Sequence, residues 1–210
     1  MKGYASLVKP YIVWMSLFIV VPMLLIVLYA FTTSGNESIS FRVTIDNFFR
    51  FFDPVFIKVL IKSLEVALIT TILCIIIGYP IAYIIANASE KSQTLLILLI
   101  TLPMWINMLV RTYAWISILS DGGLLNSLLE FIGLPPMKLM YTDFAVMLGM
   151  VYNFLPFMII SIYTVLAKLD KALIHASHDL GANPLQTFLR VVLPLSLPGV
   201  ISGITLVFLP

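Results

Sequence analysis

The chain has 210 residues, of which 61% are hydrophobic and 10% are charged, and its formal net charge is +2. Soluble domains carry about 25% charged residues because their surfaces face water, so this composition excludes a soluble globular protein. The small positive charge is spread along the chain, which excludes the basic patch of a nucleic-acid surface. Lipid is therefore the expected solvent, and we expect an all-α polytopic transmembrane bundle.

Five apolar runs are candidates for spanning helices, which need about 20 residues each. They cover residues 11–31, 63–86, 94–119, 144–167 and 195–210. The first run is longer than the apolar core of a signal peptide and lacks a clean small-residue cleavage site, so we expect it to remain as an anchor. The fifth has only 16 residues, so we expect it to be truncated, in a single transmembrane domain (1–210) that is incomplete at its C-terminus.

Two loops carry a pattern of their own. Residues 32–62 alternate phenylalanines, including Phe48 and Phe52, with polar residues such as Asn36 and Asp46, which predicts an amphipathic segment on the membrane surface. Residues 120–143 place glycines and prolines around the apolar stretch 124–132, which predicts a short helix lying across the bundle.

The distribution of lysine and arginine predicts the orientation. The first loop is long enough to cross whatever its charge, so its cations, Arg42 among them, are not counted. Of the remaining cations that lie outside the spans, one side of the membrane holds only Lys138. The other side holds Lys2, Lys9, Lys91, Lys168, Lys171 and Arg190. We therefore expect a cytoplasmic N-terminus and a cytoplasmic segment at 168–194.

That cytoplasmic segment predicts two short helices. Asp170 can cap the first helix, and Gly181 suits the left-handed residue that ends it. Asn183 can cap the second helix, with Pro184 at its first position. An apolar stripe follows the first helix and is formed by Leu169, Leu173, Ala176 and Leu180. A helical hairpin with one apolar face can insert that face into a groove on a soluble partner and transmit rigid-body motion.

Three parts of this segment match a known motif: His175-Ala176-Ser177, Gly181 and Val191-Val192-Leu193-Pro194. They resemble the cytoplasmic loop of the membrane permeases of binding-protein-dependent ABC importers, which carries Glu-Ala-Ala, three residues, Gly, nine residues and Ile-x-Leu-Pro. All the spacings agree. His175 replaces the usual Glu, which removes a charge that could contact the ATPase.

The resemblance implies a fold, a set of partners and a location. The fold would be that of a type I ABC importer permease in a bacterial or archaeal plasma membrane. The partners would be ATP-binding subunits, a second permease subunit and an extracytoplasmic solute-binding protein. The residues that would dock onto the ATPase are His175, Ala176, Ser177, Asp179, Gly181, Ala182 and Pro184. Because the chain lacks a Gly-x-x-x-x-Gly-Lys-Ser/Thr loop, we expect ATP to be hydrolysed by a partner and this chain not to be an enzyme.

Further stretches resemble the spermidine/putrescine subgroup of these permeases. They are Gly78-Tyr79-Pro80-Ile81-Ala82-Tyr83, Leu102-Pro103, Arg111-Thr112-Tyr113-Ala114-Trp115 and Leu193-Pro194-Leu195-Ser196-Leu197-Pro198-Gly199. The resemblance implies polyamine uptake. The alternatives are a permease for another small organic or ionic solute, and a membrane anchor subunit of an enzyme complex.

Ionisable residues within spans are costly, so Glu65 and Arg111 should face protein or water. Glu65 could meet a cationic solute, or snorkel and pair with Lys62. Arg111 would repel a polycation, so we expect it to bridge helices through backbone carbonyls or a carboxylate. Asp121 could add to an acidic vestibule or be an ordinary solvated loop end.

The other pathway candidates are uncharged: Trp105, Asn107, Tyr113, Trp115 and Tyr152. The aromatic rings could hold ammonium groups or belong to an interfacial belt. Asn107, like Asn153, fits a hydrogen bond between helices as well as a contact with solute. His175 and His178 lie three residues apart but lack a further ligand, and Cys74 stands alone in an apolar run, so we expect no metal and no cofactor.

Overall fold

The computed structural model describes residues 2–32 and 43–209, and their regular structure is helical apart from one antiparallel bridge between Thr32 and Val43. The chain divides into two compact units, Met1–Ser63 and Leu64–Pro210. Four helices are long and apolar enough to cross a membrane, or five if one bent helix pair counts as a single span. The expected all-α transmembrane bundle is therefore confirmed.

The first unit contains the first span and a phenylalanine-rich segment. Helix α1 (Lys2–Met15) continues through a π-helical turn (Ser16–Val20) into α2 (Val21–Ala30). A short helix, α3 (Asp46–Phe49), and a 3₁₀ turn (Arg50–Phe52) follow, and α4 (Pro54–Asn87) begins in this unit. Asn36 and Arg42, which entered the predictions for this loop, lie outside the described residues.

Asn47 joins the phenylalanine-rich segment to the end of the first span. Its Nδ2 donates hydrogen bonds to the carbonyls of Tyr29, Ala30 and Thr32, at 3.3, 3.1 and 2.9 Å. The last carbonyls of a helix have no partner within that helix, so a side-chain amide at this place satisfies them. The rings of Phe31 and Phe48 also meet, with 5.1 Å between centroids.

The second unit contains the remaining helices. After α4 come α5 (Glu90–Trp105), α6 (Met108–Leu119), α7 (Leu124–Phe131) and α8 (Asp143–Leu166). Then follow α9 (Lys171–Asp179), α10 (Pro184–Thr187), a π-helical turn (Phe188–Val192) and α11 (Leu193–Phe208). The short helix expected across residues 124–132 is thus present as α7.

The core of this unit lies where α4 and α11 pack against α8. Small residues allow the close approach: a Cβ built at Gly78 would lie 3.2 Å from Met158, and one at Gly203 would lie 2.5 Å from the Met158 sulfur. A Cβ built at Gly199 would lie 2.9 Å from the Ser161 carbonyl oxygen. In lipid, where helices gain little from hydrophobic burial, such small-residue contacts provide the van der Waals packing between spans.

The third predicted span, 94–119, is not one helix. The chain breaks at residues 106–107, and the segment Glu90–Trp105 makes an angle of 92° with Met108–Phe131. Pro103 lies in the last turn of α5, and Asn107 caps α6 by accepting a hydrogen bond from the Leu109 amide at 2.8 Å. The run 94–119 is thus a fifth span only if this bent helix pair is taken as one, because apolar composition does not distinguish a straight span from a bent one.

The fifth span begins earlier than the apolar run suggested. A helix of 25 residues runs from Pro184 to Phe208, so the second helix of the 168–194 segment continues into the span and does not end at Pro194. The π-helical turn Phe188–Val192 already interrupts the regular hydrogen bonds just before Pro194. Pro194 has no amide proton, so at this place it breaks no further bond of the regular pattern. The expectation of a short second helix was therefore wrong.

Candidate functional site

The 168–194 hairpin is built from local hydrogen bonds that its sequence predicts. Asp170 Oδ1 accepts a hydrogen bond from the Ala172 amide at 2.9 Å, which confirms Asp170 as the N-cap of α9. Asn183 and Gln186 form a reciprocal capping box at the start of α10, at 2.8 and 3.0 Å, with Pro184 at the first helical position. Both helix starts are thus fixed by side chains close to them in sequence.

The turn between the two helices depends on Gly181, whose φ is +82°. The Ala182 amide donates to the Ser177 carbonyl at 3.1 Å, and the Gly181 amide donates to the His178 carbonyl at 2.8 Å. This pair of bonds is a Schellman motif, in which the residue at the glycine position must be left-handed. His178 Nδ1 lies 3.1 Å from the Ala182 carbonyl and adds a side-chain contact to the turn.

A buried hydroxyl pair holds the two helices together. Ser177 Oγ and Thr187 Oγ1 share a hydrogen bond of 2.8 Å, and the two residues are 8% and 4% exposed. Ser177 Oγ also donates to the Ile174 carbonyl at 2.8 Å. Ser177 was expected among the residues that contact a partner, but the structure places it inside the hairpin.

The outer surface of the hairpin is apolar at several places. Leu180 is 89% exposed, and Leu173 and Leu185 are also exposed. A groove of about 270 Å³ passes over the turn between Leu180, Gln186 and Arg190. The other residues expected to contact a partner lie at the surface, except Ala182, which is half-buried: His175, Ala176, Asp179, Gly181 and Pro184. Leucines left exposed beside a polar rim form a surface suited to a protein partner.

Three of the pathway candidates come together in the second unit. The Arg111 guanidinium lies over the Tyr152 ring, 5.9 Å from its centroid, and the Trp115 ring meets Tyr152 edge-to-face at 5.2 Å. Arg111 Nη1 donates to the Pro103 carbonyl at 3.3 Å, so this side chain connects α5 with α6 across the 92° break. Arg111 thus makes a contact of the helix-bridging kind expected from the sequence.

A cavity of about 260 Å³ lies beside this cluster, between α6, the residues 140–142 and α8. Arg111, Trp115 and Asn153 line it, and Asn153 Oδ1 is buried without a hydrogen-bond partner. Gly149 also lines the cavity, and a Cβ built on it would have no atom of a neighbouring helix within 4 Å. The cavity is therefore mainly apolar, with one guanidinium and one amide at its wall.

The remaining pathway candidates lie apart from this cavity. Trp105 and Tyr113 are 87% and 68% exposed, and Asn107 is the cap of α6. Asp121 is exposed in the loop after α6, and Glu65 lies on an exposed part of α4. Within residues 2–32 and 43–209, no three His, Cys, Asp or Glu side chains lie close enough to hold a metal ion.

Sequence reasoning overlooked Asn126, which organises the 120–142 loop. Its Nδ2 donates to the carbonyls of Ser120, Asp121 and Met137 at 3.3, 3.1 and 3.0 Å, and its Oδ1 accepts from the Met137 amide at 2.9 Å. The available signal was an asparagine among the leucines of α7, because a buried amide needs hydrogen-bond partners.

The comparison with known proteins identifies the family. Residues 75–210 match the family of binding-protein-dependent transport system inner membrane components. The chain belongs to this family. The permease is accordingly a multi-pass inner-membrane protein, and the family assignment that rested on the hairpin motif is confirmed.

Two relatives resemble the permease along nearly its whole length. The spermidine/putrescine transport system permease protein PotB of Escherichia coli (strain K12) is 42% identical over 200 residues, which cover 94% of this chain and 73% of the relative. The protein of the same name from Haemophilus influenzae is 40% identical and covers 94% and 70%. The identity therefore extends beyond the hairpin motif into the spans.

A solved structure confirms the fold of the permease. It is the crystal structure of a bacterial ABC transporter involved in the import of the acidic polysaccharide alginate, which matches with a TM-score of 0.69 and 21% identity. The match covers 95% of this chain and 69% of the other. At this identity the likeness concerns the fold alone, which is that of an ABC importer permease.

Proposed function

We propose that the chain is the membrane-spanning permease subunit of an ABC importer that takes up the polyamines spermidine and putrescine. The observation that carries this proposal is the 42% identity to a spermidine/putrescine permease over 94% of the chain. Identity at this level covers the spans that would enclose the solute as well as the hairpin. ATP would be hydrolysed in a separate partner subunit, and the alternative roles are a permease for another small solute or a membrane anchor for an enzyme.

The 168–194 hairpin would be the surface that binds the ATP-hydrolysing subunit. Its two helices are held as one body by the Ser177–Thr187 hydrogen bond, and it exposes Leu173, Leu180 and Leu185. A rigid helical pair with exposed leucines can occupy a groove on a soluble protein and move as a unit with it. His175 is exposed on this surface, where it would contribute an imidazole in place of a carboxylate.

The solute would pass between this permease and a second permease subunit, after delivery by an extracytoplasmic binding protein. The N-terminus and the hairpin would then both be cytoplasmic. Trp115 and Tyr152 would offer aromatic faces to ammonium groups, whereas Arg111 carries a like charge and would act by holding the α5–α6 bend. Glu65 and Asp121 would attract the cation nearer the outer face.

Uptake of radiolabelled spermidine and putrescine into cells that lack other polyamine import tests the substrate. The chain is expressed with its second permease, ATPase and binding protein. We expect uptake that excess unlabelled polyamine abolishes and that excess sulfate or neutral sugar leaves unchanged. Uptake of another labelled solute with no polyamine uptake would assign the chain to the alternative solutes.

Retention of the ATPase subunit tests the hairpin separately. Gly181→Asp forces a side chain into the left-handed region at φ +82° and should abolish retention in a pull-down from solubilised membranes. Gly133→Asp is the matched control, because Gly133 has φ +81°, equally open surroundings and a place in the other loop. Retention of the ATPase at the native level by both variants would contradict the proposed docking role of the hairpin.

A further inference from the structure

The ring of Phe188 is held between two tyrosines of α4. Its centroid lies 5.6 Å from that of Tyr79 and 5.6 Å from that of Tyr83, and the planes meet at 89° and 87°. Edge-to-face contacts of this kind are favourable and directional, since the positive edge of one ring meets the negative face of another. We refer to Phe188, Tyr79 and Tyr83 as the aromatic clamp.

The clamp lies where the 168–194 hairpin becomes the last span. Phe188 is the first residue of the π-helical turn Phe188–Val192, and it follows Thr187 directly. Thr187 is the residue whose hydroxyl is bonded to Ser177 of α9. A displacement of α9 would therefore reach Phe188 through one hydrogen bond and one peptide unit. π-Helical turns occur frequently at functional sites, where the regular helix is locally distorted.

The tyrosine side of the clamp is fixed to the transmembrane core. Tyr79 and Ser196 are buried and share a hydrogen bond of 2.8 Å, and Ser196 Oγ donates to the Leu193 carbonyl at 2.9 Å. The neighbouring Gly78 lies against Met158 of α8. Because a close-packed interior yields little to local displacement, a movement of the Phe188 ring would be passed to α4.

We propose that Phe188 is a positioning residue that transmits movement of the 168–194 hairpin to α4 through Tyr79 and Tyr83. This inference rests on the proposed function, since the movement would come from the ATP-hydrolysing subunit bound to the hairpin. The clamp is the place where aromatic contacts join the hairpin's second helix to a different span. Loss of the rings should leave ATPase binding intact. The solute-loaded binding protein should then stimulate ATP hydrolysis less.

The test uses the complete transporter in proteoliposomes: this permease, its second permease subunit, the ATPase subunits and the binding protein. ATP hydrolysis is measured with and without binding protein loaded with spermidine, and the ratio of the two rates is the readout. A purely structural role would lower the yield of active transporter but not this ratio, because both rates come from the same molecules.

We expect Phe188→Ala to keep the basal rate and to lower the stimulation ratio by about fivefold or more. Phe188→Tyr and Tyr83→Phe retain the rings and should stay close to the native ratio. Ile201→Ala is the matched control, because it truncates an exposed residue of α11 outside the clamp. Tyr83→Leu removes a ring at a half-buried position. If Phe188→Ala folds poorly, the stimulation ratio of Tyr83→Leu is the test of the proposal.

A native-like ratio in Phe188→Ala, or in Tyr83→Leu where that variant decides, would overturn the proposal. Loss of the basal rate together with loss of ATPase retention would also overturn it, since Phe188 would then act in docking. Failure of the proposed function is a different result: the native transporter itself would show no stimulation by polyamine-loaded binding protein.

Discussion

Ser177 Oγ and Thr187 Oγ1 share a 2.8 Å hydrogen bond inside the 168–194 hairpin, and this bond joins its two helices. Ser177 donates its only proton to the Ile174 carbonyl, so Thr187 is the donor in the pair. The two positions are therefore not equivalent. Removal of the serine leaves a buried donor without this partner, whereas removal of the threonine hydroxyl leaves the serine bonded.

This asymmetry gives the first prediction. Ser177→Ala should destabilise the hairpin more than Thr187→Val, because a buried unpaired hydroxyl costs about 1 to 3 kcal/mol. The double variant should regain part of the loss. The measurement is the apparent Tm of the detergent-solubilised protein, compared across the two single variants and the double variant. Additive losses would show that the two hydroxyls do not interact.

The second prediction concerns Asn126, whose side chain makes four hydrogen bonds to the 120–142 loop. Asn126→Ala should loosen that loop, since it removes these four hydrogen bonds, each of which contributes about 0.5 to 1.5 kcal/mol. Trypsin cleavage after the exposed Lys138 should become severalfold faster in membrane vesicles oriented with this loop outward. Ser127→Ala, an exposed neighbour on the same helix, is the control and should cleave at the native rate.

Asn47 is the subject of the third prediction. It holds the phenylalanine-rich segment against the end of the first span, so Asn47→Ala should release that segment. Phe49→Cys reports on this change, since the natural cysteine, Cys74, is buried. A water-soluble maleimide should label Cys at position 49 faster in the Asn47→Ala background than in the native background. The same labelling rate in both backgrounds would contradict the capping role.

The fourth prediction separates two roles for Arg111. Because Arg111 bonds the Pro103 carbonyl across the 92° break, Arg111→Ala should lower the maximal rate of polyamine uptake and change KM little. Lys138→Ala removes an exposed positive charge elsewhere in the same unit and serves as the control. A large change in KM with an unchanged maximal rate would assign Arg111 to solute binding.

Much of the hairpin could be predicted from the sequence because its bonds are local. Asp170, Gly181 and Asn183 each act on residues within a few positions along the chain, so residue type and spacing suffice. The position and the size of the bend at residues 106–107 were not predicted, although Pro103 and Asn107 both signal a helix end. Residues 94–119 are mainly apolar along their whole length, so hydropathy alone predicts a single span there.

Ser177 shows why other features could not be predicted in this way. The family motif has a small residue there, and small residues suit both a contact surface and a tight helix crossing. Only the position of Thr187 across the hairpin decides between the two, and that position depends on the angle at which the helices meet.

The sequence by itself determined the solvent, the helical class, the approximate spans and the family, because hydropathy and short motifs record local and compositional constraints. The tertiary structure alone decided that Phe188 packs between Tyr79 and Tyr83, that Tyr79 is bonded to Ser196, and that Arg111 reaches Pro103. The Phe188 and Ser196 contacts join residues more than 100 positions apart, and the Arg111 contact crosses a bend. All of them depend on how the helices cross, which small residues and close packing determine over the whole bundle.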